Sequence, residues 1–504
     1  MHVAVRTDAN NTVGTGHLHR CLNIGRELAA RGHEVTFLFG RNSSIGRMNR
    51  LNTTFGAVQI EDSVQSFTVG SSRSVTPLEE VVRDARSTGT YLQSKTIDWV
   101  IVDHYSLGDE WVSEIKTRAN CHVLAIDDIG RAWSNVDLLL DSALDANVLY
   151  SSMSASTGGL LGPSFVPLNP AYKTSSGSCE GDAERKVLTV FFGGADSPNA
   201  TGSTLKALSS RIREDLLVRV VVGELNANKN SLKAEFSSPN FDFLEPADSL
   251  YEYLRTSDAF IGGGGTTTWE RLCLGVPSAT ISIAENQIKM SEELARAGCL
   301  IYLGATSQVS EDAMRSSVDQ LLDDQEFRDD VSLRGRLLVD GFGSSRICEA
   351  MAPTNPSEMT LRPAQPNDCL LLFRWANDAA VRQSSLDPRP ILWTTHRDWF
   401  GKFLAHPDKR MFIAELNGMS VAQIRFEPSE GRLRLSYLVD RHFRGKGIGR
   451  RLAELGIREI RRGTSETIVA EVREENEASL RVFRALGFRE AGSTTNGVLV
   501  FLLD

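Results

Sequence analysis

The chain has 504 residues, of which 41% are hydrophobic and 24% are charged, a balance typical of a globular protein with about two to four domains. Its net charge of −9 argues against a nucleic-acid-binding surface as its main function. The seven cysteines are scattered without a CxxC pair or a His cluster, so we expect a reducing cytoplasm and no structural metal site. The chain begins with a predicted strand, without a signal-peptide pattern, and no apolar run has the length of a membrane span.

The first residues predict a βαβ unit. A strand over 3–5 leads into a turn that contains Gly14, Gly16 and His17, and a helix over 18–31 follows. The dipole at a helix start lowers the pKa of a histidine, which then stays neutral and able to accept a proton. On spacing alone, His17 is equally well a general base or a histidine that caps the helix or supports a neighbouring side chain.

Polar side chains follow several of the next predicted strands. Asp103-His104-Tyr105 ends a strand over 98–102, Asp127-Asp128 ends a strand over 123–126, and Asp141 ends a third. Ligands bind at this carboxyl edge in open α/β sheets. We interpret the Asp127-Asp128 pair as strand-end carboxylates, not as a metal-binding glycosyltransferase signature.

A second α/β half begins after a polar, Gly- and Ser-rich linker over 174–184. Its first predicted strand, over 187–192, ends in a turn with Gly194, and further strands are expected near 217–222, 241–243 and 258–261. We therefore predict two Rossmann-like halves, 1–173 and 174–352.

The densest glycine turn of the chain lies in this second half. Four glycines follow the strand over 258–261, and three threonines and a short amphipathic helix come next. A strand, a glycine turn and a helix start can present backbone N–H groups to a phosphate. Glu270, one turn into the helix, is placed to accept hydrogen bonds from a ribose diol. The alternative interpretation of the whole segment is a tight turn that binds no ligand. The candidate phosphate contacts are Gly263, Gly264, Gly265, Thr266, Thr267 and Thr268.

The last 148 residues or so restart with a new α+β pattern. Prolines and polar residues near 352–357 mark a linker, and the domain is predicted over 357–504. Asn417-Gly418 is a hairpin signal, and a strand over 433–439 precedes the segment Arg444–Gly449, which opens a helix. Its glycines and basic residues predict a cradle for an anion.

The motifs of the first 350 residues or so resemble the UDP-diacetamido-trideoxyhexose hydrolases of pseudaminic acid biosynthesis. That family has the two-domain GT-B fold and is similar to the glycosyltransferase that makes peptidoglycan lipid II. One departure is that Ser142-Ala143 stands where the family usually has Gln-Asn. The stretches that carry the resemblance are Gly14-Thr15-Gly16-His17 with Arg20-Cys21-Leu22, Asp103-His104-Tyr105, Ile126-Asp127-Asp128, Leu161-Gly162-Pro163, Gly193-Gly194-Ala195-Asp196, 263–270 and Glu285-Asn286-Gln287.

This resemblance implies attack of water at an anomeric carbon, with inversion, loss of UDP and no metal. His17 is implied as the general base, and Tyr105 and Asn286 are implied to hold the water or the sugar. The residues implied to bind UDP are Gly14, Gly16, Gly194, Gly263, Gly264, Gly265, Thr266, Thr267, Thr268 and Glu270.

The segments Arg444–Gly449 and Asn476–Phe488 resemble the GNAT acetyltransferases. The resemblance implies that the strand over 433–439 splays from its neighbour and offers backbone groups to the pantetheine arm. The family often has a tyrosine where this chain has Phe483, which leaves Tyr437 as a candidate general acid. The alternative is a GNAT domain that has lost its activity and has only a structural role. The residues implied to bind acetyl-CoA are Leu438, Val439, Arg444, Gly445, Lys446, Gly447, Ile448, Gly449, Asn476 and Phe483.

Together the two resemblances predict consecutive steps on one sugar. The GNAT domain would acetylate a UDP-4-amino-sugar with acetyl-CoA, and the GT-B-like halves would hydrolyse the product. A legionaminic-type or other diamino sugar fits the same motifs. The alternatives are a UDP-sugar glycosyltransferase with an accessory GNAT domain and a non-catalytic nucleotide-sugar-binding protein.

Overall fold

The computed structural model of the chain describes residues 1–8, 16–41, 43, 55–64, 76–174, 185–210, 213–245, 249–385, 387–494 and 497–504. The chain forms two compact units, Met1–Met351 and Ala352–Asp504. The predicted linker residues 175–184 and Gly14 lie outside the described residues. Among the described residues, no helix combines the length and apolar character that crossing a membrane requires.

The first unit opens with a parallel sheet in the strand order β3-β2-β1-β4-β5-β6-β7. Its strands are β1 (His2–Thr7), β2 (Glu34–Phe39), β3 (Gly56–Gln59), β4 (Trp99–Asp103), β5 (His122–Ile126), β6 (Leu138–Asp141) and β7 (Gly158–Leu161). The helices that accompany them are α1 (Gly16–Ala30), α2 (Leu78–Gln93), α3 (Asp109–Arg118) and α4 (Ala146–Leu149). Most of the strand residues are buried, as expected when helices cover both faces of a parallel sheet.

Each face of this sheet has its own apolar core. Ile24 of α1 packs with Val5 of β1 on one face, and Trp111 of α3 packs with Val102 of β4 on the other. These cores hold α1 against β1 and α3 against β4, which positions the loops at the carboxyl edge of the sheet.

The second half of this unit is a parallel sheet in the order β10-β9-β8-β11-β12-β13. Its strands are β8 (Lys186–Phe191), β9 (Leu216–Val221), β10 (Phe241–Leu244), β11 (Ala259–Gly263), β12 (Ser278–Ser282) and β13 (Ile301–Ala305). Its helices are α5 (Ala200–Ser209), α6 (Lys229–Glu235), α7 (Tyr251–Arg255), α8 (Thr267–Leu274), α9 (Ile288–Arg296), α10 (Glu311–Asp323) and α11 (Gln325–Leu338). A further helix, α12 (Gly343–Met351), returns to the first half, where Ile347 joins the core under α1.

Both sheets reverse their strand order beside their first strand. β1 lies between β2 and β4, and β8 lies between β9 and β11, which gives each sheet the kind of switch point at which open α/β sheets bind ligands. The prediction of two Rossmann-like halves is confirmed. The strand before the glycine turn is longer than expected because β11 runs through Gly262 and Gly263. A side chain at Gly262 would place its Cβ 2.1 Å from the Phe191 carbonyl oxygen, so glycine allows the strand to continue there.

The second unit is a mixed sheet in the order β14-β15-β16-β17-β18-β20-β19. Its strands are β14 (Thr360–Pro363), β15 (Arg410–Leu416), β16 (Met419–Ser429), β17 (Arg432–Val439), β18 (Ile468–Arg473), β19 (Arg489–Ser493) and β20 (Val498–Leu503). Its helices are α13 (Cys369–Ala376), α14 (Ala379–Ser384), α15 (Trp393–Ala405), α16 (Ile448–Ile460) and α17 (Glu477–Ala485). The parallel β17–β18 ladder consists of the pairs Leu433–Ile468 and Arg434–Val469, and β17 extends beyond it to Val439.

Candidate active site

His17 lies in the first turn of α1, where its imidazole is 5% exposed. Its Nδ1 lies 2.5 Å from Oδ1 of Asp103, the last residue of β4. The two residues meet because β1 and β4 are neighbours, with Thr7 opposite Asp103 in the register. The carboxylate accepts a hydrogen bond from Nδ1, and this fixes the tautomer in which Nε2 is the proton acceptor.

Arg20 completes this arrangement one helical turn after His17. Its Nε and Nη2 each donate to Asp103 at 2.6 Å, and its Nη1 donates to Asp128 at 2.9 Å. Burial by itself would raise the pKa of Asp103, but the charge of Arg20 and the hydrogen bonds from Arg20 and His17 hold that pKa well below its usual range. Asp103 therefore stays ionised and keeps the imidazole of His17 oriented.

Tyr105 follows the same strand and contacts His17 edge to face, with ring centroids 4.5 Å apart. Burial and the charge of Asp128 raise the pKa of Tyr105, so its hydroxyl remains neutral. Asn286 lies in an exposed single turn, Glu285–Gln287, after β12 in the second half of the unit. The structure thus brings His17 and Tyr105 together, whereas Asn286 belongs to the other half.

The carboxylates at the ends of β5 and β6 have different partners. Asp127 accepts hydrogen bonds from Arg131 and Tyr150, while Asp128 accepts a hydrogen bond from Arg20. The carboxylate of Asp141 accepts only from the Ala143 N–H at 2.8 Å among the described residues, and burial, aided by the charge of Asp128, raises its pKa to about 6. Within the described part of the chain, no group of three or more His, Cys, Asp or Glu side chains is arranged to hold a metal ion.

The glycine turn after β11 has a fixed side and an open side. The N–H of Gly264 donates to Gln287 Oε1 at 3.1 Å, which ties the turn to the segment that carries Asn286. Gly265 and Thr266 form the open side, and a Cβ on Gly265 would meet no atom within 4 Å. A Cβ on Gly16 would lie 3.7 Å from Thr266 Cγ2, so the turns of the two halves face each other.

The threonines of this turn divide by exposure. Thr266 is exposed and Thr267 is half-buried, but Thr268 is buried and its Oγ1 accepts from Arg271 Nη2 at 2.7 Å. The Thr268 hydroxyl therefore faces the protein, and its backbone N–H donates to the Gly265 carbonyl at 3.0 Å. Glu270 is half-buried, and burial raises its pKa to about 7 against the opposing effects of Tyr172 and Arg271. Gly194 lies exposed after β8 with open space around its Cβ position.

The predicted anion cradle of the second unit is an open turn at the start of α16. Gly445 (φ +76°) and Gly447 (φ +79°) adopt left-handed conformations, and neither would have an atom within 4 Å of an added Cβ. Lys446 is exposed over this turn, whereas Ile448 is buried. Arg444 donates instead to the Val439 carbonyl at 3.1 Å and to Asp378 at 2.7 Å, so its guanidinium shapes the loop.

The part of β17 beyond its ladder with β18 carries Tyr437, Leu438 and Val439, all half-buried. Tyr437 donates to Ser479 Oγ at 3.1 Å, and its ring lies 3.3 Å from the position of a Cβ on Gly449. The tyrosine therefore lies between the starts of α16 and α17.

Two other predicted acetyl-CoA contacts already have partners within the protein. Asn476 caps α17 by accepting from the Ser479 N–H at 3.1 Å. Phe483 is buried among Tyr437, Phe488 and Phe501. Its place in this aromatic cluster explains why a phenylalanine suits a position where the family often has a tyrosine.

Sequence reasoning did not assign roles to Arg20, Asp103, Gln287 or Arg271. A signal for the first two was present, since Arg20 follows His17 by three residues on one helix face and Asp103 ends the adjacent strand. Gln287 and Arg271 act through contacts with the glycine turn that no local pattern reveals.

Comparisons with known proteins match each of the two units and also the chain as a whole. The acetyltransferase (GNAT) domain family matches residues 358–489. An uncharacterised protein of Methanocaldococcus jannaschii is 22% identical over 515 aligned positions, which cover 97% of each chain. The spore coat polysaccharide biosynthesis protein SpsG of Bacillus subtilis is 20% identical over 351 residues, covering 69% of this chain and 96% of that protein.

Among solved structures, MurG of Acinetobacter baumannii is similar with a TM-score of 0.53 and 14% identity, covering 70% of this chain and 99% of that one. The first unit thus has a GT-B-like fold of two Rossmann-like halves, and the second contains a GNAT domain. The predicted fold class is confirmed.

Proposed function

We propose that this chain is a bifunctional nucleotide-sugar enzyme of pseudaminic acid biosynthesis. It acetylates a UDP-4-amino-sugar and hydrolyses the resulting UDP-diacetamido-trideoxyhexose to free sugar and UDP without a metal. We assign hydrolysis to domains 1–173 and 174–352 and acetyl transfer to domain 357–504. The observation that carries the hydrolase part is a carboxylate-oriented histidine beside an open glycine turn: His17 is held by Asp103, and Gly16 faces Thr266.

In the hydrolytic step, Nε2 of His17 takes a proton from water as the water oxygen bonds to the anomeric carbon. The bond from that carbon to the diphosphate oxygen breaks, and its electron pair leaves with UDP. Backbone N–H groups of the turn at Gly265 and Thr266 stabilise the charge that develops on the leaving group. Tyr105 and Asn286 hold the water or the sugar, and Glu270 accepts from the ribose diol.

In the acetyl-transfer step, acetyl-CoA supplies the acyl group as a thioester. The neutral amine of the sugar attacks the thioester carbonyl carbon, an amide forms, and the C–S bond breaks. The proton lost by the amine balances the proton that the thiolate gains. Tyr437 lies where it can serve this proton transfer, because its hydroxyl is beside the starts of both α16 and α17.

The likeness of this chain, over 166 residues at 26% identity, to a UDP-N-acetylglucosamine-dependent N-acetylglucosamine transferase of Bacillus licheniformis supports a second candidate, a UDP-sugar glycosyltransferase with an accessory GNAT domain. The two functions differ in the group that attacks the anomeric carbon, which is water in one and an acceptor hydroxyl in the other.

The test is to incubate the full-length protein with acetyl-CoA and candidate UDP-4-amino-sugars and to follow the products by mass spectrometry. We expect a mass gain of one acetyl group, followed by UDP and a free diacetamido sugar that carries ¹⁸O when the water is labelled. Release of UDP only when an acceptor is added would favour the glycosyltransferase. Binding without turnover of any candidate would contradict both enzymatic assignments.

A further inference from the structure

The guanidinium of Arg271 lies buried beneath the glycine turn of the second half. The residue is 0% exposed. Its Nη2 donates to the Gly263 carbonyl at 3.2 Å, to Thr268 Oγ1 at 2.7 Å and to Thr280 Oγ1 at 3.3 Å. Its carbon Cζ lies 4.5 Å from the ring centroid of Phe260. All of these partners are electrically neutral.

The guanidinium interacts electrostatically with the carboxyl group of the neighbouring Glu270 but forms no ion pair with it. Nε and Nη1 are buried without a hydrogen-bond acceptor, and no carboxylate within the described ranges approaches Arg271 to 4.0 Å. The equally buried Arg6 provides the contrast, because it pairs with Asp8 at 3.0 Å and with Asp84 at 2.7 Å. An unpaired buried charge is costly to maintain, so its presence calls for a compensating anion.

The position of Arg271 indicates where that anion binds. Gly263 and Thr268 are the two ends of the turn, and the guanidinium binds both of them by hydrogen bonds from the inward-facing side. Gly265 and Thr266 form the open side. Burial lowers the pKa of Arg271 to about 9 against the opposing charge of Glu270, which leaves it protonated at neutral pH. A negative charge at the open side would lie across the turn from the buried guanidinium, where Coulomb interactions are stronger than in bulk water.

We propose that Arg271 is the buried counter-charge of the diphosphate subsite, and this proposal rests on the nucleotide-binding role given to the turn above. Arg271 is a positioning residue: it fixes the inward carbonyl of the turn and supplies a fixed positive charge below it. Its effect on affinity therefore grows with the number of phosphate charges on the ligand. A residue that only shaped the pocket would affect uridine, UMP and UDP alike.

The test compares uridine, UMP and UDP binding by calorimetry to the full-length wild type, Arg271→Met and Arg271→Lys at one pH and salt concentration. We expect Arg271→Met to lose roughly 10- to 100-fold in UDP affinity, less in UMP affinity and little in uridine affinity. Arg271→Lys retains most of the preference for UDP. Should Arg271→Met fail to fold, Arg271→Gln keeps donors for the Gly263 carbonyl and Thr268 hydroxyl without the charge.

A matched control is Arg219→Met in the same half. The Arg219 side chain is also bonded to neutral groups, the Tyr253 carbonyl and Thr256 Oγ1, each below 3 Å, so its loss should leave the preference for UDP unchanged. Equal losses for uridine and UDP in Arg271→Met, or no loss for UDP, would overturn the role of Arg271. A wild type that binds UDP no more tightly than uridine would instead overturn the diphosphate site itself, and the proposal with it.

Discussion

The imidazole of His17 is oriented by a chain of charged hydrogen bonds. Asp103 accepts a hydrogen bond from Nδ1 of His17, and Arg20 donates to both carboxylate oxygens of Asp103. A rotation of the imidazole would therefore break its buried, charge-assisted hydrogen bond to Asp103. Because the proton is held at Nδ1, Nε2 is the basic nitrogen. A free histidine in water would distribute its proton between both nitrogens, whereas this one presents a single acceptor, as general-base chemistry requires.

Replacement of His17 tests this assignment. We expect His17→Ala to lower the rate of UDP release from the diacetamido substrate by roughly 10²- to 10⁴-fold, the usual contribution of a general base. UDP affinity should change little, since the imidazole acts on water. Single-turnover kinetics and calorimetry measure the two quantities. His19→Ala, on the exposed side of the same helix, is the control, and near wild-type turnover in His17→Ala would refute the role.

Glu270 has an environment that links nucleotide binding to pH. Burial raises its pKa to about 7, above the ordinary carboxyl value, so the carboxyl is neutral in acid and ionised above pH 7. In the proposed site, the ionised form is the better acceptor for the ribose diol, and this form increases as pH rises through 7. Binding should therefore strengthen in the same direction.

Uridine is the appropriate ligand for this prediction, because the terminal phosphate of UDP titrates in the same range. We expect the affinity of the wild type for uridine to rise between pH 6 and pH 8 and the affinity of Glu270→Gln to be nearly independent of pH. Calorimetry across that range measures both. Glu285→Gln, an exposed carboxylate after β12, should keep the wild-type profile. A flat profile in the wild type would remove Glu270 from the ribose site.

At the scale of elements, the start of α16 is an open turn, and it is the proposed binding surface for acetyl-CoA. Gly445 and Gly447 both have positive φ and open space at their Cβ positions, so the backbone is exposed where the helix begins. Tyr437 lines the other side of this region through its contact with Gly449. A bulky residue at Gly447 would fill the space that a pyrophosphate requires.

Gly447→Trp should weaken acetyl-CoA binding by at least about 10-fold, for this steric reason and because it strains the turn. Gly431→Trp is the matched control: Gly431 has φ +72°, has equally open surroundings and lies in the turn between β16 and β17. Both variants carry the same backbone strain, so a difference in their acetyl-CoA affinities reports on the turn at the start of α16. Equal acetyl-CoA affinities in calorimetry would exclude Gly447 from the binding site.

Elements with a local signature could be predicted from the sequence. The two Rossmann-like halves were predicted from glycine turns and from apolar residues that recur with the periods of strands and helices. Helix α2, Leu78–Gln93, lies within the expected helix over 77–94. Contacts between distant segments could not be predicted, because they depend on tertiary packing. Gln287 reaches back 23 residues to bind the Gly264 N–H, and Arg444 binds Asp378, which is 66 residues away in the sequence. Thr268 was likewise predicted to contact the ligand, but its hydroxyl lies under the turn and accepts a hydrogen bond from Arg271.

At the scale of the whole molecule, two units with different folds occur in one chain. The M. jannaschii protein aligns over 97% of both chains, so a relative has a similar length and covers both units. The proposed function gives this pairing a chemical reason, since the product of one unit is the substrate of the other. A 4-ammonium group would require a partner charge in the hydrolase site, whereas an acetamido group requires only hydrogen bonds.

The last prediction is that acetyl transfer precedes hydrolysis. With acetyl-CoA present, full-length protein should release UDP from the 4-amino precursor, and without acetyl-CoA it should release UDP only from the diacetamido sugar. Gly447→Trp should keep hydrolysis of the diacetamido sugar but release little UDP from the precursor, while Gly431→Trp behaves as the wild type. Acetylation itself should rise with pH until the amine is neutral, because only the free base attacks a thioester. Coupled measurement of UDP and acetylated sugar over time follows the order directly. Rapid UDP release from the precursor by Gly447→Trp, or by the wild type without acetyl-CoA, would show that the hydrolase site accepts the free amine and that no order is imposed.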